Sequence, residues 1–291
     1  MFEFHEYHER FSEAVYHLIF ETDKDILGHC YIGKKGKIAS LPYSAPFSLL
    51  YPRKKWKLED IIQCLEGLIL FCKYLEFSKI YITLPPDIYY PSLVNTLSSC
   101  LFSKCFKVFS VDLNQYYSLE NFDTVELYLS SVERMVRRNY NKAINNDLKF
   151  VKIDKNRFEE AYNVIQINRE EMGYPLKIPK NQMKNIINLE HLKSSFFLVK
   201  KKDTAIASAI VFDVTNEVSQ VIYWGDNPSY RVLRPMALLS THLFDYFKNQ
   251  GKKYLDIGPS SNKGIISPGL FEFKESLNCK STIKLTFELT L

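Results

Sequence analysis

The chain repeats a short pattern at a distance of more than half its length. Residues 31–41 read Tyr-Ile-Gly-Lys-Lys-Gly-Lys-Ile-Ala-Ser-Leu, and residues 198–209 read Leu-Val-Lys-Lys-Lys-Asp-Thr-Ala-Ile-Ala-Ser-Ala. Each is an apolar strand, a lysine-rich turn, and Ile-Ala-Ser opening a second strand. A long helical stretch and a lysine-led strand follow in both places: Ser78-Lys79-Ile80-Tyr81-Ile82 and Lys252-Lys253-Tyr254-Leu255-Asp256-Ile257. A period this long predicts two similar α/β domains and excludes a solenoid, whose repeats are much shorter. Lysine turns and Ile-Ala-Ser carry little information, so a chance match is the competing reading.

At 291 residues the chain accommodates two domains of ordinary size, and the repeat places them at 1–115 and 120–291. The 21 Phe and 19 Tyr, with 46% hydrophobic and 24% charged residues, describe a folded protein rich in aromatics. Its longest apolar run, Ile61 to Cys72, is about a dozen residues with Glu66 inside, short of the roughly 20 that cross a bilayer. The acidic start, Met1-Phe2-Glu3-Phe4-His5-Glu6, lacks the pattern of an export signal and predicts a cytoplasmic protein. Cys30, Cys64, Cys72, Cys100, Cys105 and Cys279 form no Cys-x-x-Cys pair and are expected as buried thiols. No His/Cys/Asp cluster has metal-ligand spacing, and P-loop, dinucleotide and Gly-x-Ser-x-Gly fingerprints are absent.

Charge is localised. Residues 1–115 hold 13 basic and 13 acidic side chains, whereas 133–157 hold eight basic against three acidic, which equals the whole net charge of +5. Such a patch predicts a phosphate-binding surface, with a solvated helix face as the alternative.

Periodicity predicts helices over 5–21, 57–76 and 91–99 and strands over 26–33, 37–43, 79–84 and 105–113, with 114–125 as a bridge. The proline-punctuated loop 42–48 offers Tyr43 as a groove-lining aromatic. Beyond the bridge come helix 127–146, with Leu127, Leu129, Val132, Val136 and Tyr140 on its buried side, and strand 148–153. Helices 157–173 and 179–191 follow, split by Gly173-Tyr174-Pro175, and then strands 195–201, 205–213 and 217–224. Helix 233–249, strand 253–258, helix 269–277 and strand 280–289 close the series.

Four stretches of the second half stand out. They are Arg134-Met135-Val136-Arg137-Arg138-Asn139-Tyr140-Asn141-Lys142-Ala143; Gln220-Val221-Ile222-Tyr223-Trp224-Gly225-Asp226-Asn227-Pro228; the turn Ser229-Tyr230-Arg231-Val232-Leu233-Arg234-Pro235; and Asp256-Ile257-Gly258-Pro259-Ser260-Ser261 with Gly269-Leu270-Phe271-Glu272-Phe273-Lys274. Set on the order β-α-α-β-β-β-α-β-α-β, they resemble the GNAT acyltransferase fold, and the whole chain resembles the Fem-type (FemAB-like) branch of the acyl-CoA N-acyltransferase superfamily. The resemblance implies two tandem GNAT-like domains, each a mixed, mostly antiparallel sheet flanked by helices, with a degenerate first copy.

The roles it implies are specific. Arg137 and Arg138 become phosphate contacts, since the guanidinium fork donates two hydrogen bonds to an oxyanion. The strand bearing Tyr223, Trp224 and Gly225 splays open to receive the acyl donor, with backbone N–H groups facing the oxyanion and Gly225 permitting the break; plain core packing is the alternative for Tyr223 and Trp224. Arg231 and Arg234 stand where acyl-CoA enzymes carry a glycine-rich pyrophosphate loop, and the missing glycines depart from that pattern. Lys274 becomes the lysine that stabilises the tetrahedral intermediate. Asp256, charged in an apolar strand, must find a partner or face a cleft. Asp256 and Tyr223 complete the catalytic set, Ser260 and Ser261 line the strand-end loop, and Glu170 or Glu171 holds or deprotonates an amine.

These implications amount to an N-acyltransferase with no permanently bound cofactor and no metal. Acyl-CoA or aminoacyl-tRNA would be the donor, and an amine on a carbohydrate or cell-envelope precursor the acceptor. The rivals are a Fem-type aminoacyl-tRNA-dependent peptidyltransferase and a catalytically silent module binding a phosphorylated ligand. tRNA is thus a candidate partner and DNA is not; residues 125–291 hold no long lysine- and glutamate-rich insert of the kind several Fem proteins carry. Oligomeric state is not encoded.

Overall fold

The computed structural model describes residues 12–291 apart from Lys24, Tyr43, Ser44, Lys54, Tyr174 and Pro175. Tyr43, and residues 5–11 of the expected first helix, lie outside the described residues. The chain divides into two units, one of residues 12–113 with 261–266 and 282–291, the other of 114–260 with 267–281. Residues 261–266 and 282–291 thus group with the first unit, within the span 120–291 expected for the second domain.

In the first unit, β1 (Ala14–Glu21), β2 (Ile26–Lys35) and β3 (Ile38–Leu41) form an antiparallel meander, with the short β4 (Tyr51–Pro52) also on β2. Helix α1 (Leu58–Tyr74) then leads to β5 (Lys79–Thr83), which lies parallel to β3. The expected helix over 5–21 is corrected here, because Ala14–Glu21 is a strand. Phe11, Val15, Leu18 and Ile19 suit a helical stripe, but pairing with β2 over the full length of β1 overrides that local pattern. α1 starts where Asp60 accepts a hydrogen bond from the Lys57 backbone N–H at 2.8 Å, and it buries Ile61, Cys64, Leu65, Leu68 and Cys72, a single stripe of helical spacing. After α2 (Pro91–Ser103), strand β6 (Lys107–Ser118) gives Lys107–Leu113 to this unit and its remainder to the other.

In the second unit, α3 (Val125–Ser131) and α4 (Arg134–Asn145) replace the single helix expected over 127–146. Val132 breaks it with φ −80° and ψ 163°. Tertiary tethers explain the corner: Ser276 O accepts from the Glu133 N–H at 3.3 Å, and the Tyr128 hydroxyl donates to Leu277 O at 3.1 Å. Tyr128 is consequently buried and stacks on Phe244 at 4.0 Å, while Leu127, expected inside, is half exposed. Then come β7 (Leu148–Ile153), α5 (Phe158–Glu171), α6 (Lys180–Ile187) and the antiparallel meander β8 (Ser194–Lys201), β9 (Thr204–Asp213) and β10 (Val218–Asp226). Helix α7 (Pro235–Asn249) leads to β11 (Tyr254–Pro259), parallel to β10. A hairpin of β12 (Ser261–Asn262) and β13 (Ile265–Ile266), helix α8 (Pro268–Ser276) and β14 (Lys280–Thr290) follow.

Each unit thus contains a three-stranded meander, a helix, and a strand parallel to the third. The matching strings are one hairpin out of step with that order: Ile38-Ala39-Ser40 belongs to β3, the last meander strand, whereas Ile206-Ala207-Ser208 belongs to β9, the middle one. Both strings mark a tight turn with a positive-φ residue, Gly36 or Lys202, ahead of a buried strand, a requirement shared by many hairpins. The strand antiparallel to β5 is β14, and the strand antiparallel to β11 is the Asn114–Ser118 part of β6 with Pro259 opposite Asn114. Each unit is therefore completed by a strand drawn from the other half of the sequence.

Candidate active site

The expected opening in the sheet lies between β10 and β11. These strands pair only at Val218–Gln220 with Tyr254–Asp256, while β10 continues beside β9 to Asp226 across a register shift between Val221 and Tyr223. From Val221 onward, the β10 edge facing away from β9 carries no strand pairing among the described residues. Separation thus begins at Gln220, upstream of Gly225, so Gly225 does not create the break. Its need for glycine is steric: a Cβ there would lie 2.8 Å from Asn168 Cγ. Asn168 of α5 donates through Nδ2 to the Asp226 carbonyl at 2.9 Å and to its carboxylate at 3.1 Å, pinning the end of β10.

Next to the opening sits a buried polar cluster. Asp256 has no exposed surface and accepts from Asn114 Nδ2 at 2.8 Å, Gln220 Nε2 at 3.2 Å and the Gly258 N–H at 2.8 Å. It finds partners and does not face open space. Gly258 takes φ +78°, a conformation few side chains adopt, and the β11–β6 register shifts between Asp256 and Pro259. Lys274, on α8 and 1% exposed, donates to the Gly258 carbonyl at 2.7 Å and the Pro259 carbonyl at 3.1 Å. Its third N–H has no acceptor among the described residues. Burial pulls the Lys274 ammonium down to about 8, against the opposing influence of Asp256 and then Cys279. Cys279 is itself buried, and burial pushes its thiol far up, so it stays protonated.

The remaining candidates are placed as follows. Trp224 is half-buried with its ring 6.0 Å from Phe273, so the splayed strand meets the helix of Lys274. The Tyr223 hydroxyl accepts from the Ile178 N–H at 3.2 Å and thereby anchors the loop before α6. Ser260 is buried and donates to the Gln115 side-chain carbonyl. Ser261 belongs to the other unit, where it donates to Asp112 at 2.7 Å and accepts from the Leu113 N–H at 2.8 Å. Both serine hydroxyls serve the protein itself. Arg231 pairs with Asp226 at 3.1 Å, which neutralises a charge expected to meet phosphate. Arg234 is exposed, in the left-handed conformation at the start of α7. Glu170 accepts from Gln166 at 2.8 Å, and Glu171 is exposed at the end of α5. Five of the six thiols are buried, while Cys105 is exposed.

Arg137 and Arg138 project outward from α4, whose Val136 and Ala143 form its buried side. Arg137 donates to Ser130 O at 3.2 Å. Converting both arginines to alanine is expected to change stability by no more than about 0.5 kcal/mol, as is usual for surface positions, and the salt dependence of polyanion binding before and after the change tests the phosphate-contact expectation. An unchanged salt slope in a filter-binding titration would assign this face to solvent alone.

The amides Asn114, Gln115, Asn168 and Gln220 were not among the expected site residues, although all are buried and three of them hold Asp256 or Ser260. Their signal is faint: an adjacent pair in a stretch read as a bridge, one amide in an apolar strand and one in a helix. Among the described residues no group of three or more His, Cys, Asp or Glu is placed to hold a metal, and no helix is long and apolar enough to cross a membrane.

A parting pair of parallel strands after a three-stranded meander, beside a strand-end loop packed by a helix, defines the GNAT-like class of fold. Solved structures of FemX and of a tandem GNAT protein are similar to this chain in fold. The chain is similar to FemX over 97% of its length and 89% of that chain, with a TM-score of 0.72 at 14% identity. It also resembles the C-terminal domain of a putative lysylphosphatidylglycerol synthetase from Agrobacterium fabrum, covering 94% of this chain and 84% of that one, with a TM-score of 0.65 at 10% identity. A tandem GNAT protein of the clavulanic acid biosynthesis pathway matches over 95% of this chain and 83% of that one, with a TM-score of 0.55 at 8% identity. No family model matches the sequence. No curated protein matches it either.

Proposed function

We propose that the protein is an acyl- or aminoacyltransferase that moves its group from a thioester or ester donor to an amine. The observation that carries this reading is the early parting of β10 from β11: beyond Gln220 the β10 edge that faces away from β9 has no strand pairing among the described residues, an edge along which an extended donor can lie. In the reaction, the amine nitrogen forms the C–N bond, the donor C–S or C–O bond breaks, and the amine proton leaves with the thiol or hydroxyl. Most of the rate comes from positioning and from donors aimed at the transient oxyanion. Lys274 supplies the unassigned N–H for that oxyanion, and Asp256 holds the Gly258 turn whose carbonyl seats Lys274.

The exposed arginines of α4 favour aminoacyl-tRNA as donor over acyl-CoA, as does the glycine-free turn before α7, and the name of the putative lysylphosphatidylglycerol synthetase among similar structures agrees with an aminoacyl group. A carbohydrate or cell-envelope amine is the acceptor in this reading, and the cytoplasm its place of work. The test is a thermal-shift series with acetyl-CoA, longer acyl-CoAs, UDP-sugars and aminoacyl-tRNA. A true donor at one hundred times its Kd adds about 2.7 kcal/mol of stability. Stabilisation by aminoacyl-tRNA but not by deacylated tRNA supports the aminoacyl reading; stabilisation by UDP-sugars alone would replace the enzyme with a binding module.

A further inference from the structure

Beside α5 lies a pocket of about 470 Å³ lined by Tyr162, Gln166, Arg169, Glu170, Leu176 and Lys180, together with Pro179. Its floor is rigid. The buried Tyr162 hydroxyl donates to the Ile178 carbonyl at 2.9 Å while the Tyr223 hydroxyl accepts from the Ile178 N–H, so two tyrosines hold Ile178, the neighbour of the lining residue Pro179. Lys180 is committed to Asn163 Oδ1 at 2.7 Å and lies 5.6 Å from the centre of the Tyr162 ring. Arg169 differs: half-buried, it has no hydrogen bond or ion pair among the described residues. The adjoining Glu170 is exposed and receives only a neutral amide donor, from Gln166.

We infer that this pocket binds a small zwitterion, an amino acid or the end of a short peptide, with its carboxylate on Arg169, its amine on Glu170 and its side chain against Tyr162 and Leu176. An uncommitted guanidinium inside a pocket calls for a planar anion, and a carboxylate on the same wall calls for a cation. Neighbouring charges of opposite sign that do not satisfy each other suit a ligand bearing both. The volume falls in the range of small-molecule sites and exceeds what one amino acid needs, which favours a dipeptide.

The test is isothermal titration calorimetry of the full chain with L-leucine, L-alanyl-L-leucine, N-acetyl-L-alanyl-L-leucine and L-alanyl-L-leucine amide. The dipeptide should saturate a single site, with leucine weaker; the reverse order would point to free amino acids as the source. Blocking either terminus should weaken binding about 10- to 100-fold, the worth of one charged hydrogen bond. Arg169→Gln should abolish the penalty for amidation and Glu170→Gln the penalty for acetylation, with cooperative melting retained in both. Should either variant melt without cooperativity, Arg169→Lys or Glu170→Asp replaces it. No saturable binding, or equal affinity for all four probes, overturns the inference. Saturable binding without transfer from any donor would leave the pocket standing and remove the transferase reading.

Discussion

Lys274→Met is expected to lower turnover about 100- to 1,000-fold with little change in donor binding, the loss usual when one donor to a transition-state oxyanion is removed. Methionine keeps the stem packed in the space that Lys274 fills and deletes only the ammonium. In the wild type, turnover should fall as pH rises through about 8, where the buried ammonium loses its proton; the variant should lack that limb. A second readout does not need the substrate. The folded state holds Lys274 below its ordinary value of 10.5, so between about 8 and 10.5 the unfolded chain binds the extra proton. Stability from this group therefore rises with pH across that window and is lowest below it, by on the order of 3 kcal/mol. Buried thiols and tyrosines titrate nearby with the opposite sign, so the quantity to measure is the wild-type minus Lys274→Met difference in urea unfolding at pH 7.5 and pH 10. A difference that does not move with pH, together with near-normal turnover, would reduce Lys274 to a packing residue.

Asp256→Ala is expected to cost about 3–5 kcal/mol, the usual consequence of removing one partner from a buried charged network. Three donors, from Asn114, Gln220 and Gly258, would lose their acceptor without access to water. Activity should fall in the same variant, because the Gly258 turn that seats Lys274 loses its anchor. Asp256→Asn separates the two effects: it keeps the volume but must point an NH2 group at one of the three donors, so part of the stability returns. Urea denaturation at pH 7 measures both variants, and a cost below about 1 kcal/mol for alanine would show that Asp256 is not the anchor.

Much of this site could be read from residue order, and the failures have physical causes. Lys274 stood out through the Gly-Leu-x-x-Phe-Lys pattern and Asp256 as a lone charge in an apolar strand, and the structure brings both to one strand-end loop. The amides around them carried no such mark, since a glutamine in a strand reads the same whether it faces water or a buried carboxylate. β1 passed for a helix because its apolar residues fit either period and only its pairing with β2 decides between them. Helix α3–α4 reads as continuous because the bonds that break it come from Ser276 and Leu277, more than a hundred residues away. Residues 114–118 passed for a linker for a similar reason: their strand partner is β11.

The exchange of β6 and β14 sets an order of events during synthesis. β5 pairs with β3 soon after emerging from the ribosome, but its other neighbour arrives far later; the Lys79–Glu288 pair that links the two strands spans 209 residues. At about 5–20 residues per second, β5 waits roughly 10–40 s with one row of backbone groups uncovered. A bare edge of that kind invites pairing with another chain, so nascent copies on a crowded polysome are most vulnerable at Ile80 and Ile82. Cutting the chain near residue 120 makes the wait permanent for both pieces, because β5 loses β14 and β11 loses Asn114–Ser118.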